Sequence, residues 1–257
     1  MGWLHDGHRA LIGQSRATDA TTVVSIFVNP RQFNVAGDFT RYPRNEARDL
    51  AICEAEGVDL VFAPSVDDVF PPGSDTTVSV GAIARPLEGA ARPGHLDGVA
   101  TVVAILFSLV GAEHAYFGQK DAQQVMVIRR MARDLAIPTR VIACPTIRET
   151  DGLAMSSRNV HLSGVERAAA PILHRALELA RDRWADGERD AGRLRETIRA
   201  EIAREPLADI DYVSCADGET LQELDEVAGP ALLSLAVRFG TTRLIDNEPL
   251  TDATLDR

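Results

Sequence analysis

Apolar residues recur along this chain with two different periods. Runs that are apolar at nearly every position predict buried strands: TTVVSIFVN at 21–29, VDLVFAP at 58–64, HAYFG at 114–118 and PTRVIACPT at 138–146. Residues 78–80 read as a further short strand. Between these runs the spacing is helical. A charged stretch from Pro43 to Glu56 is closed by Gly57, an apolar segment covers 97–112, and 120–135 places Val125, Ile128, Met131 and Leu135 on one face. Strands that are apolar throughout and alternate with helices predict an α/β fold, a parallel sheet covered on both faces. Such sheets bind ligands beyond the carboxyl ends of their strands. Here those ends carry Asn29-Pro30-Arg31-Gln32, Gly118-Gln119-Lys120-Asp121 and Thr146-Ile147-Arg148. After about residue 150 the pattern changes to two amphipathic helices, 163–186 and 190–204, and strand-like pieces at 209–216, 231–240 and 242–246. This predicts a smaller C-terminal α+β domain, with the division at 1–146 and 147–257 and a frayed tail over 249–257.

Composition narrows the classes. The chain has 257 residues, 27 basic and 38 acidic, for a net charge of −11, and 45% of it is apolar. That is a globular composition; it excludes a disordered chain, a collagen and a disulfide-stapled miniprotein. The acidic balance argues against a general nucleic-acid binder. The longest apolar stretch, Val99 to Ala112, is too short to span a membrane. MGWLHDGHRA lacks an apolar signal region, so a cytoplasmic location is expected. Cys53, Cys144 and Cys215 lie far apart and read as buried thiols of a reducing compartment. Among the 27 basic residues there is one lysine, Lys120. A compact ammonium differs from a planar guanidinium, which makes Lys120 a candidate for a place where arginine does not serve.

Three motifs have chemistry to offer. His5 and His8 in His5-Asp6-Gly7-His8 fall on one side of an expected helix start, where free amides and the helix dipole attract phosphate and imidazole donors can meet developing charge. Two surface histidines near a terminus would look the same. Phe117-Gly118-Gln119-Lys120-Asp121-Ala122-Gln123-Gln124 runs from a strand end into a helix; the ammonium suits phosphate oxygens, and an amide such as Gln124 suits a hydroxyl or carboxylate. A plain strand-to-helix turn is the alternative. Met155-Ser156-Ser157-Arg158-Asn159 follows Asp151-Gly152 and reads either as a mobile clamp for a polyphosphate or as a serine cluster capping the next helix. Asn29 to Phe33 is a candidate pocket wall, and Arg92-Pro93-Gly94-His95 a basic loop. Asp38, Glu46, Asp49, Asp67 and Asp68 are candidate Mg²⁺ ligands, although acidic surface faces are commoner.

In order, H-x-G-H, V-S-I-F-V-N-P-x-Q-F, R-P-x-H, F-G-x-K-D-x-Q-Q, D-G-L-A-M-S-S-R-N and G-T-T-R-L-I-D-N closely resemble the pantoate–β-alanine ligase family, from Met1 to about Asn247. The resemblance implies a Rossmann-like nucleotidyltransferase domain of the H-x-G-H superfamily with a smaller C-terminal lid domain. It implies ATP-dependent condensation of pantoate with β-alanine through pantoyl adenylate, with Mg²⁺ accompanying ATP and a homodimer as the assembly. Carried over by motif, the ATP loop is Met1, Gly2, Trp3, Leu4, His5, Asp6, Gly7 and His8, with His8 as proton donor and His5 assisting. Gly118, Gln119, Lys120 and Asp121 match a second ATP loop, with Lys120 on the phosphates. Ile147 matches a backbone contact to adenine, and Met155, Ser156, Ser157 and Arg158 the loop that closes on ATP. Gln32 and Gln124 match the glutamines that hold pantoate, Gln32 also lying near β-alanine; Asn29, Arg92 and His95 are further substrate-site members. The neighbouring readings are another adenylyl- or cytidylyltransferase of the superfamily and a non-catalytic remnant.

Three departures accompany the resemblance. Family members have a strand ending in Pro-Thr ahead of the Met that opens this chain. A misplaced start codon or a truncation is expected to leave the neighbouring strands without their central partner. Ala122 stands where an aromatic residue is usual, loosening one wall, and Gln119 stands for a glutamate, removing a negative charge near the phosphates.

Overall fold

A computed structural model describes residues 2–33, 39–40 and 42–250; Met1, Asp38 and the tail after Leu250 lie outside the described residues. The chain forms two compact units, Met1–Gly118 with Gln123–Cys144, and Gln119–Ala122 with Pro145–Arg257.

The first unit opens with helix α1 (Asp6–Thr18), followed by strand β1 (Val23–Ser25), helix α2 (Glu46–Ala55) and strand β2 (Leu60–Phe62). Asn45 caps α2 by accepting from the Arg48 amide, and Gly57, at φ +72°, turns the chain out of it. β1 and β2 pair in parallel, and Leu4, Ile12, Val24 and Cys53 form a buried cluster from the chain start, α1, β1 and α2. Two short helices, α3 (Val66–Val69) and α4 (Glu88–Ala91), precede α5 (His95–Val110), which ends at Gly111 with φ +61°. Strands β3 (His114–Gly118) and β4 (Arg140–Cys144) flank α6 (Ala122–Asp134) and pair in parallel from His114 opposite Arg140 to Gly118 opposite Cys144.

The parallel, helix-alternating plan is therefore present, but as two separate pairs, β1–β2 and β3–β4, among the described residues. Of these four strands all but β3 are shorter than their apolar runs, because apolarity marks burial and only a hydrogen-bonded neighbour makes a ladder. After Ser25 the Ile26 amide still reaches Phe62, and then Asn29 caps a 3₁₀ turn over Pro30–Gln32. Residues 78–80 form no strand; the Val78 amide donates to Thr101 Oγ1 instead. Val125, Ile128 and Met131 are buried as expected, whereas Leu135 falls past the end of α6 and is 55% exposed.

The second unit contains α7 (Gly164–Ala169), α8 (Ile172–Ala185), α9 (Ala191–Ile202) and the antiparallel sheet β5 (Ala208–Asp217), β6 (Ala231–Phe239), β7 (Thr242–Pro249), with β6 central. The single helix expected over 163–186 breaks at Ala170–Pro171, since proline offers no amide to continue the ladder. Leu173, Ala176 and Leu177 of α8, and Leu194, Ile198 and Ile202 of α9, lie at helical spacing in one buried cluster with Leu233, Leu235, Val237 and Phe239 of β6. All three cysteines are buried, and burial pushes the Cys215 thiol up to about 11. No described helix is long and apolar enough to cross a membrane.

Candidate active site

The H-x-G-H residues start α1 in a way that fixes their protons. His5 is the N-cap, and its Nδ1 accepts from the Gly7 amide at 3.2 Å. The His8 Nδ1 reaches back to accept from the His5 amide, also at 3.2 Å. This is a capping box built from two imidazoles, whose ring centroids lie 4.1 Å apart. A neutral ring that accepts at Nδ1 carries its proton at Nε2. In the neutral form each histidine therefore carries its proton on Nε2, at a helix N-terminus, a place suited to an anion.

The approach to this helix is held by Asp49, a residue that sequence reasoning placed among surface or Mg²⁺ carboxylates. Asp49 lies on α2 and is only 1% exposed. Its Oδ2 accepts from the Trp3 amide at 2.7 Å and its Oδ1 from the Leu4 amide at 2.8 Å. Trp3 has φ +55°, and the Arg48 guanidinium lies over its ring. The available signal was a carboxylate four residues before Cys53, on the core face of α2. Asp68 is likewise committed, in the capping box of α3 with Ser65. Among the described residues no group of three His, Cys, Asp or Glu side chains is arranged to hold a metal ion.

Beyond β1, the Asn29 side chain accepts from the Arg31 amide and donates to the Gln32 Oε1 at 3.1 Å and to the Gly98 carbonyl at 3.0 Å. The Gln32 carbonyl is met by His95 Nδ1 at 2.8 Å and by Arg92 Nη2 at 3.1 Å, and Arg92 Nη1 lies 3.1 Å from His95 Nε2. Four expected substrate residues are thus one polar cluster, with Gln32 at its centre. The adjacent glutamines on α6 also separate. Gln123 is buried, accepting from the Glu88 amide and donating to the Ile83 and Pro86 carbonyls, so it shapes the 83–88 segment. Gln124 is half-buried.

In the second unit, Gln119–Asp121 form a 3₁₀ turn in which Lys120 Nζ lies 3.5 Å from Asp121 Oδ1. Residues 147–155 fold as a hairpin: the Met155 amide donates to the Ile147 carbonyl at 2.9 Å, and the Glu149 amide to the Leu153 carbonyl at 2.8 Å. Gly152 turns it at φ +93°, where a Cβ would also meet His174 at 2.7 Å. Arg148 locks the hairpin to β7 through a two-pronged pair with Asp246, at 2.6 and 3.1 Å. Arg167 binds Glu149 and Asp151, and its guanidinium holds the Asp151 carboxyl below the usual range. The Met155–Arg158 segment is partly a 3₁₀ helix over Ser157–His161: Ser156 caps it by accepting from the Arg158 amide, and Ser157 is buried. Lys120, Ser156, Asn159 and Asp246 share the wall of a small recess with Leu153, Ala154, Leu173, Leu244 and Ile245.

The comparisons with known proteins agree on one assignment. The pantoate-beta-alanine ligase family matches residues 1–249. The pantothenate synthetase of Roseiflexus sp. (strain RS-1) is 58% identical over 247 residues, covering 96% of this chain and 89% of that protein. That of Chloroflexus aurantiacus is 57% identical over 248 residues, covering 96% and 88%. The crystal structure of pantothenate synthetase from Thermus thermophilus superimposes with a TM-score of 0.93 at 46% identity, covering 96% of this chain and 90% of that one. The pantoate-beta-alanine ligase from Francisella tularensis, complexed with beta-gamma ATP and beta-alanine, gives 0.78 at 34% identity, covering 96% and 86%. Six motifs in one order, a match that runs through both units and relatives of more than half identity have a single explanation: the chain belongs to the pantoate–β-alanine ligase family.

Proposed function

We propose that this chain joins pantoate to β-alanine in two steps. A pantoate carboxylate oxygen attacks the α-phosphorus of ATP, and the bond to pyrophosphate breaks, leaving pantoyl adenylate. The β-alanine amine then attacks the acyl carbon, AMP departs with the C–O electron pair, and the amine loses a proton. No covalent enzyme intermediate is required, so the protein's contribution is positioning and charge stabilisation.

The observation that carries this reading is the paired-imidazole cap of α1, with both Nδ1 atoms committed to backbone amides. In this reading His8 and His5 donate Nε2–H bonds to ATP, His8 being the proton donor, and Gly2 to Gly7 form the rest of that loop with Met1. Lys120 binds phosphate oxygens, with Gly118, Gln119 and Asp121 forming its loop. Ile147 contacts adenine through its backbone, and Met155 to Arg158 close on ATP. Gln32 and Gln124 hold pantoate. Asn29, Arg92 and His95 serve the same site by fixing Gln32, consistent with their bonds to it. Mg²⁺ enters as the companion of ATP's phosphates, and the homodimer and cytoplasmic location belong to the same reading.

Two assays test it. Pantoate-dependent exchange of pyrophosphate into ATP isolates the first step, and pantothenate formation measures both. His8→Ala is expected to slow exchange on the order of 10²–10³-fold, as loss of one preorganised donor does. Exchange that proceeds equally without pantoate, or that needs a phosphate-bearing substrate instead, would overturn the assignment in favour of another nucleotidyltransfer.

A further inference from the structure

Asn247 lies on β7 and is only 5% exposed, yet its side chain is spent entirely on the turn that carries the lone lysine. Its Nδ2 donates to the Gln119 carbonyl at 3.0 Å and to the Lys120 carbonyl at 2.9 Å. Its Oδ1 accepts from Gln119 Nε2 at 3.2 Å. Three bonds from one buried amide thus clasp a three-residue turn. The next residue back, Asp246, accepts from the Asn247 amide at 2.9 Å while holding Arg148 with both oxygens. Neighbouring positions of β7 therefore grip the Lys120 turn and the hairpin leading to Met155–Arg158.

We propose that Asn247 is a positioning residue for adenylation: it holds the Gln119–Asp121 turn, and through it the Lys120 ammonium, in place for the phosphates. The inference rests on the reading of Lys120 as the phosphate-binding cation. The chemistry requires an asparagine's two donors. A carboxylate would oppose two carbonyl oxygens, and a glutamine would carry the amide one methylene too far. A lysine side chain is long and flexible, so its reach to a reacting phosphate depends on a fixed backbone, and small displacements of reacting groups are costly.

The single lysine makes the test direct. The whole chain, grown with lysine ¹³C-labelled at Cε, gives one lysine side-chain resonance. In Asn247→Ala that resonance is expected to move, and its response to added ATP to weaken. Pantoate-dependent pyrophosphate exchange should fall on the order of 10²-fold, the scale of a misplacement of about 1 Å, with KM for pantoate little changed. In a Lys120→Ala background the Asn247→Ala change should cause no further loss, because the residue acts through the lysine. An unmoved resonance with an unchanged ATP response, or a loss that multiplies with that of Lys120→Ala, overturns the positioning role. If Lys120→Ala alone leaves exchange unchanged, the lysine reading fails and this proposal with it. Should circular dichroism show Asn247→Ala unfolded, Asn247→Ser, which keeps one donor, is read by the same resonance and the same criteria.

Discussion

A methyl group on Gly98 would lie 2.2 Å from the Arg31 carbonyl oxygen and 2.9 Å from the Gln32 amide nitrogen. No side chain fits there unless the Asn29–Gln32 turn moves away from α5. Gly98→Ala should therefore displace Gln32 and lower kcat/KM for pantoate on the order of 10²-fold, with KM for ATP nearly constant; steady-state kinetics with each substrate varied in turn checks this. Asp49 makes a second residue-scale case. Asp49→Asn preserves shape but offers one oxygen to two amides. It should cost about 1.5–3 kcal/mol, the range for hydrogen bonds to a charged group, and raise KM for ATP, both read by denaturant unfolding and kinetics. Lys120→Arg should be impaired in pyrophosphate exchange despite its retained charge, because a guanidinium cannot occupy an ammonium's place.

At the scale of elements, α1 is fastened at both ends. Its N-terminus is the histidine cap; past its C-terminus Asp19 accepts from Tyr116 Oη at 2.7 Å and lies 2.6 Å from His114 Nδ1, both on β3. Burial pushes the Asp19 carboxyl up, but the bonds from His114, Tyr116 and Ser15 outweigh it and hold the group below its usual range. Burial, then the Asp19 bond, pushes Tyr116 up to about 12. A raised folded-state value means that this contribution to stability is complete below the unfolded value of 10 and is lost as pH rises through about 12. Denaturation midpoints should fall across that window, and less steeply in Tyr116→Phe. In the second unit, Ile198 of α9 is fully buried against the sheet. Ile198→Ala should destabilise the fold by about 2–5 kcal/mol, measured by chemical denaturation.

At the scale of the molecule, a chain of net charge −11 takes an anionic nucleotide and, in the proposed reaction, a carboxylate. Net charge does not favour that binding; in the proposed reading local donors supply it, the α1 N-terminus and Lys120. Ligand that binds only the folded chain raises its stability by mass action. ATP at 100 times its Kd should add roughly 2.7 kcal/mol, visible as a higher melting temperature, and His5→Ala with His8→Ala should remove most of that shift.

The sequence by itself determined the plan of alternating helices and strands, because burial on both faces of a parallel ladder leaves unbroken apolar runs and helices leave a 3.6-residue period. It also contained the motif order and the single lysine. Strand lengths and the division into β1–β2 and β3–β4 were decided by hydrogen-bonded neighbours, which an apolar run does not name. Partnership at the candidate site was tertiary for the same reason. Asp49 is 45 residues from the Leu4 amide it binds, Arg92 is 60 from Gln32, and Asn247 is 127 from Lys120. A buried carboxylate or amide declares its role only through the partner that desolvation obliges it to find, and that partner is set by the folded chain.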